Sequence, residues 1–493
     1  MLTYTLDRAS KASLYEQLYR GLRADVESGA LKAGCRLPSK RSLARHLGVS
    51  VITVEAAYGQ LAAEGYVRSL PRSGFYVQEV GPKAARGTHA CSRLRDEGGC
   101  ERDGAGDPDA AEWLADFTGA TAPEGLFPYA AWARTLRRVL ADESERTVLE
   151  AAGPQGSPRL RAAIAMHLRG FRGMEAHPDQ IVVGSGAQSL YGLLVQLLGR
   201  GLVYGVEDPG YPRLARIYRS NDVRVATVPV DDAGPMPGVL TTAGVDVLHC
   251  MPSHQFPLGT TTPVGRRREL LAWARGDVGP SGQSAGRSRY LIEDDFDCEF
   301  RMAGRPVPPL AALDNAGRVV YANTFTKTLG AAFRIGYVVL PWELARRFRD
   351  QLGFYACTVG ALEQLTLARF MESGDYERHV NCQRTYFRRV QNALVDALAA
   401  SGAADRLHLR NVGAGLHFLM EVRGAGKTDA AACERAIAAD AAARGVRLAP
   451  LSDYRMEGAS DVPAFVMSFA ALAEERASAA AAVIADAVRE ALS

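Results

Sequence analysis

The chain has 493 residues, 47% hydrophobic and 23% charged, with a formal net charge of +3. This composition excludes a mainly disordered chain, a collagen-like chain and a coiled-coil rod, and the length suggests about three domains. No run of roughly 18 apolar residues is present, the first residues lack a signal-peptide pattern, and the eight cysteines form no C-x-x-C pair. The sequence therefore predicts a cytoplasmic protein with reduced thiols, no metal site and no membrane contact.

Residues 1–80 hold eleven Lys/Arg against seven Asp/Glu, which leaves the other 413 residues at −1. A small basic block on a near-neutral body points to a polyanionic partner for that block. Leu14, Leu18, Leu22 and Val26 recur at helical spacing. Ser39 offers an N-cap to a helix from Lys40 to Leu47, Gly48-Val49-Ser50 breaks it, and a second helix runs from about Val51 to Glu64, with Val54, Ala57 and Leu61 on one face. Pro71-Arg72-Ser73-Gly74 between Tyr66-Val67 and Phe75-Tyr76-Val77 predicts a hairpin. Helix, glycine-containing turn and helix suit a DNA reader, in which a recognition helix presents short polar side chains to base edges and cations hold phosphates. Arg36, Ser39, Lys40 and Arg41 precede or open the first helix, Ser50 and Thr53 open the second, and Arg72 and Gly74 sit at the hairpin tip. A small helical protein-interaction module is the alternative.

Residues 81–112 lose apolar periodicity and read as a flexible linker. From 113 to 493, short apolar strands alternate with helices, the pattern of an α/β domain on a mostly parallel sheet. The stretch 275–289 reads as a surface insertion and Arg266-Arg267-Arg268 as a solvated helix start. Phe465-Val466-Met467-Ser468-Phe469 predicts a strand among alanine-rich helices.

Three strand ends carry unusual polar residues. After Ile181-Val182-Val183 come Ser185, Gly186, Ala187 and Gln188, a turn whose small residues let backbone approach an anion at a helix start. After Tyr290-Leu291-Ile292 come Glu293, Asp294, Asp295 and Asp297, open to three readings: a metal site, solvated loop charges, or a carboxylate that holds a protonated pyridine nitrogen. After Val319-Val320-Tyr321 come Thr324, Thr326, Lys327 and Arg334, hydroxyls and an arginine suited to a phosphate beside a lysine suited to a Schiff base. Ligands of open α/β sheets sit at the carboxyl ends of strands, where all three segments fall.

The run from Arg36 to Ser50, followed by Thr53 to Tyr66, closely resembles the winged helix-turn-helix of GntR-type regulators; the family often has arginine where Val51 stands. The segments 207–213, 252–257, 292–297 and 324–327 resemble fold-type I pyridoxal phosphate enzymes of the class I/II aminotransferase group. Together the chain resembles MocR-type regulators. That resemblance implies a DNA-binding domain over 1–80, a linker over 81–112 and an aminotransferase-like effector domain over 113–493, with a mostly parallel central sheet and a smaller C-terminal α+β part. It implies pyridoxal 5′-phosphate as cofactor, held through Lys327, with Asp294 on the pyridine nitrogen. Ser185, Gly186, Ala187, Gln188, Thr324, Thr326 and Arg334 would surround the phosphate, Tyr211 would lie near the ring, and Arg213 would meet an effector's carboxylate. Implied partners are operator DNA, an amine or amino acid (or the cofactor itself) as effector, and a second copy of the chain. His254 and Gln255 are typical of the family. Phe296 stands where the family usually has a tyrosine on the cofactor's phenolic oxygen, and Val466 where working aminotransferases place an arginine for the substrate carboxylate. The second departure predicts slow or absent turnover; an active aminotransferase with an appended DNA domain is the alternative.

Overall fold

The periodic leucines near the start form α1 (Leu14–Glu27), with Leu18, Leu22 and Val26 buried. Helices α2 (Lys40–Leu47) and α3 (Val51–Ala63) follow. Each opens on a serine whose side chain accepts a backbone N–H, Ser39 from Ser42 at 3.1 Å and Ser50 from Thr53 at 3.0 Å, the bond that satisfies a helix's orphan donors. Gly48 ends α2 in the left-handed conformation. Strands β1 (Val67–Leu70) and β2 (Gly74–Val77) form the antiparallel hairpin. The computed structural model describes all residues except 1, 5, 8–12, 71–72, 80–112, 120–124, 278–288, 303–306, 414, 425–428 and 459–461. The expected linker, most of the expected insertion, and Arg72 lie outside the described residues.

The body has one large mixed sheet and a smaller C-terminal layer. Strand β3 (Ala115–Asp116) pairs with a distant short strand described below. The large sheet contains β4 (Ile181–Gly184), β5 (Val203–Asp208), β6 (Arg224–Asp231), β7 (Gly234–Pro235), β8 (Val247–Cys250), β9 (Tyr290–Asp294), β10 (Val319–Thr324) and β11 (Gly336–Val339). Their order is β4-β11-β10-β9-β8-β5-β6-β7. The run β10-β9-β8-β5-β6 is parallel, β11 is antiparallel to both of its neighbours, and β7 is antiparallel to β6. Helices cover both faces, which is why the inner strands are continuous apolar runs. The smaller layer has β12 (Leu407–Arg410), β13 (His417–Val422) and β15 (Ala464–Ser468), all antiparallel, while β14 (Val446–Arg447) pairs with β3. The long helix Asp375–Ala399 and the helix Ala477–Ala491 pack on it around Phe418, Met420 and Ile484. Among the described residues no helix is long and apolar enough to cross a membrane.

The N-terminal unit rests on the start of the helix Val264–Arg275. Val264 is 5% exposed and belongs to the apolar core formed by Leu18, Val54 and Tyr66. Its N–H donates to the Glu64 carbonyl at 2.9 Å. Gly65, at φ +77°, makes this approach possible, since a Cβ there would lie 2.5 Å from the Pro263 Cβ. Arg268 reaches Glu27 at 3.3 Å. The arginine triplet is therefore not a solvated helix start. Arg267 is 1% exposed and donates to the carbonyls of Thr262, Pro308 and Pro252 at 2.8, 2.6 and 2.7 Å, while Arg266 pairs with Asp231 at 2.9 Å. A buried guanidinium needs its donors matched, and three loop carbonyls supply the acceptors.

Candidate cofactor and DNA-reading sites

Sheet register brings the three polar strand ends together. Gly336 of β11 lies opposite both Gly184 of β4 and Thr324 of β10, and Asp294 of β9 lies opposite Ala322 of β10. The turn Ser185-Gly186, Thr324 and Asp294 thus share one edge. Gly186, at φ +80°, precedes the helix Ala187–Leu198, and a Cβ on it would come within 3.2 Å of the Arg334 guanidinium. Arg334 donates to the Ser185 carbonyl at 3.3 Å and has φ +50°, a left-handed backbone that an arginine rarely adopts and that clusters at functional sites. Thr324 and Thr326 are half-buried beside them, and Gln188 is exposed on the helix's first turn. Thr358, which the sequence did not flag, closes the cup by accepting the Ser185 N–H at 3.0 Å.

Of the three readings of the acidic run, solvated charge does not hold. All four acids are buried and each has partners from remote segments. Glu293 accepts the N–H groups of Leu310 and Ala311 at 2.7 and 2.9 Å; burial, with Asp295 adjacent, raises its carboxyl to about 7. Asp294 accepts from the Tyr191 hydroxyl and from His249 Nε2 at 3.4 Å, and His249 Nδ1 in turn accepts from Tyr218 at 2.7 Å. Asp295 accepts from Tyr321 at 2.7 Å and pairs with Arg172 at 2.9 Å.

Asp297 contacts His254 Nδ1 at 2.9 Å and the Leu416 N–H at 3.2 Å. Burial opposes its charge, but His254, His417 and Lys327 outweigh it and lower the carboxyl below its ordinary range. The His254 and His417 rings lie 4.1 Å apart, and the Nε2 of each has no partner. Burial, followed by His254, pushes the His417 imidazole well below its usual value. One ligand atom from each of these three side chains lies within 4.8 Å of the others, close enough to hold a metal ion, with the two imidazole rings tilted by 37° to each other. Burial lowers the Lys327 amine below the ordinary lysine value, and Asp297 acts against that shift.

At the neighbouring end of β5, Tyr211 is half-buried with its ring 6.3 Å from Phe256, and Arg213 is exposed on the first turn of the helix Pro212–Ser220. Phe296 sits 6.3 Å from both His254 and Phe256. Gln255 is committed to the Pro209 carbonyl at 2.9 Å, and of the two side chains only His254 keeps an unpartnered polar atom, its Nε2. Val466 is fully buried in β15 with Leu419 and Ala449, and Phe256 and Tyr454 pack against that cluster. Tyr191, His249, Arg172 and His417 escaped sequence reasoning because each lies tens to hundreds of residues from the acid it serves and carries no local motif.

In the N-terminal unit, Arg36, Arg41 and Arg45 are exposed, while Lys40 pairs with Glu55 of α3. The Ser50 and Thr53 hydroxyls bond each other at 2.8 Å, so Thr53 works in the helix cap. Gly74 lies against the Arg36 guanidinium.

Residues 14–77 match the family described as bacterial regulatory proteins, gntR family, and residues 122–249 match aminotransferase class I and II. The chain is 34% identical over 456 residues to the HTH-type transcriptional regulator YhdI of Bacillus subtilis, covering 92% of each protein. It is 32% identical to the probable rhizopine catabolism regulatory protein MocR of Rhizobium meliloti, covering 84% of this chain and 83% of that one. The chain belongs to the MocR-type transcriptional regulators. Its body also superposes on the multiple substrate aminotransferase of Thermococcus profundus with a TM-score of 0.64 at 21% identity, over 78% of this chain and 93% of the other. At that identity the likeness speaks for the aminotransferase fold, now carried by a MocR-type regulator.

Proposed function

We propose that this MocR-type regulator binds operator DNA through residues 1–80 and pyridoxal 5′-phosphate through the body, and that it senses an amine, an amino acid or the cofactor itself. The observation that carries the cofactor reading is the convergence of Gly186, Arg334, Asp294 and Lys327 on one sheet edge. The residues present fit the group. The turn before the helix Ala187–Leu198 offers backbone N–H groups and a nearby guanidinium to a phosphate. The Asp294 carboxylate, held by Tyr191 and His249, suits a protonated ring nitrogen. The Lys327 amine, with its proton affinity lowered by burial, suits bonding to an aldehyde carbon.

When bound, pyridoxal phosphate supplies an electrophilic carbon for amines and a ring that withdraws electrons. This chain's residues then bind and orient. Arg213, exposed at the mouth, would meet an anionic end of the effector. Val466 supplies no second cation, and misorientation of a reacting group costs rate steeply, so the arrangement favours binding over sustained turnover. The expected assembly is a dimer through the body.

The test is covalent trapping. Borohydride treatment of the cofactor-loaded protein, followed by peptide mapping, should fix the cofactor on Lys327, and Lys327→Ala should abolish the label. A tag on another lysine would overturn the assignment. Rapid steady-state exchange of an α-amino acid with a keto acid would favour the enzyme reading instead.

A further inference from the structure

The outward face of α3 lacks the chemistry expected of a reader of hydrogen bonds. Its exposed residues are Val51, Ile52, Glu55, Ala56 and Gly59. Ile52 is 76% exposed and Val51 41%, at the helix's first two positions. A β-branched side chain so open to water has no part in the core, where Val54, Ala57 and Leu61 do the packing. The face's one charge, Glu55, is neutralised by Lys40 from α2. Thr53, the nearest hydroxyl, is tied to Ser50. Exposed cations instead flank the face, with Arg36, Arg41 and Arg45 before and on α2 and Arg68 on β1.

We infer that Ile52, supported by Val51 and Ala56, reads the C5-methyl groups of thymine in the major groove, while the flanking arginines hold phosphates. The inference rests on the DNA-binding reading above. In the major groove each base pair shows a donor and acceptor pattern plus, for thymine alone, a methyl group. A face whose most exposed side chain is the apolar Ile52 discriminates by that methyl. The N-terminal residues of a recognition helix are the ones that reach base edges, and these are the apolar ones. Arginine rather than lysine at the flanks suits planar, bidentate phosphate contact, and the positive rim matches a duplex rather than an apolar protein partner.

The experiment selects duplexes from a random-sequence pool with the full-length protein, then replaces each thymine of the selected site by deoxyuridine, which removes only the methyl group. Affinity should fall about fourfold for each methyl contacted, the value of one buried carbon. Ile52→Ala should bind the unmodified site more weakly by a similar factor and should no longer respond to deoxyuridine at that step. Because Ile52 lies outside the core, its variant should unfold at the wild-type temperature. Equal wild-type affinity for thymine and deoxyuridine sites overturns the inference while leaving DNA binding intact. So does a selected site with no thymine, or an Ile52→Ala variant that keeps full sensitivity. Absence of any salt-dependent duplex binding overturns both this inference and the reading it rests on.

Discussion

The proposed cofactor edge and the proposed DNA-reading face are built on opposite plans. At the sheet edge the charges are inside: Glu293, Asp294, Asp295 and Asp297 are buried and held by partners from all over the body. On α3 and α2 the charges are outside and large apolar side chains join them at the surface. A small ligand with fixed charges is best met by groups oriented before it arrives, in a medium of low dielectric where each contact is strong. A duplex is a long, mobile, screened polyanion, and exposed arginines gain affinity for it by releasing its condensed counterions. The same residue types therefore carry different free energies in the two regions, and substitutions should separate them.

The largest effect belongs to the buried plan. Arg172 and Asp295 pair at 2.9 Å with almost no exposure of either side chain. Removing one partner of such a pair leaves an uncompensated charge and costs about 3–5 kcal/mol. Arg172→Met should lower stability by that amount in denaturant titrations that follow the body's tryptophans; a loss below about 1 kcal/mol would show that the acidic run is not held as described.

A second effect tests the electrostatics beside Lys327. Burial disfavours the protonated amine and Asp297 favours it. Asp297→Asn removes the favouring charge, so the amine's proton affinity should fall further. The pH at which cofactor attachment is half-maximal should then move down in stopped-flow absorbance. No movement, or movement upward, would mean that Asp297 does not act on this lysine.

The smallest expected change in stability is at the DNA-reading face. Arg41→Ala should shift unfolding by no more than about 0.5 kcal/mol, as surface substitutions do. It should nonetheless weaken binding to every duplex, operator or scrambled, and reduce the slope of log affinity against log salt by about one. An unchanged slope would remove Arg41 from the phosphate contacts.

Local structure was legible in the sequence wherever a short-range rule governs it. Leucine spacing gave α1, serine caps set the starts of α2 and α3, and small residues after a strand marked the Gly186 turn. Partnerships were not legible. Nothing near Asp294 indicates that Tyr191 and His249 will meet it, because the sheet order, not the chain, makes them neighbours. Arg267 shows the same limit from the other side: three arginines in a row suggest solvent, yet the middle one faces a loop whose carbonyls need donors. Ile52 lies off the face formed by Val54, Ala57 and Leu61, and its 76% exposure is a property of the packed unit.

Val264 has a consequence of its own. It sits in the N-terminal unit's apolar core although the chain places it in the body, so the two units share a side chain and unfold as linked systems. A shared contact also sets a scale. Burying one valine is worth roughly 1.5–3 kcal/mol, and an ion pair as open as Arg268–Glu27 adds up to about 1 kcal/mol more. Together with the bond from the Val264 N–H to the Glu64 carbonyl, these contacts set the scale of the free energy that a ligand in the body sends to the reading head through this seam. A seam of this size suits graded tuning of DNA affinity, for which couplings between sites are typically about 1–3 kcal/mol.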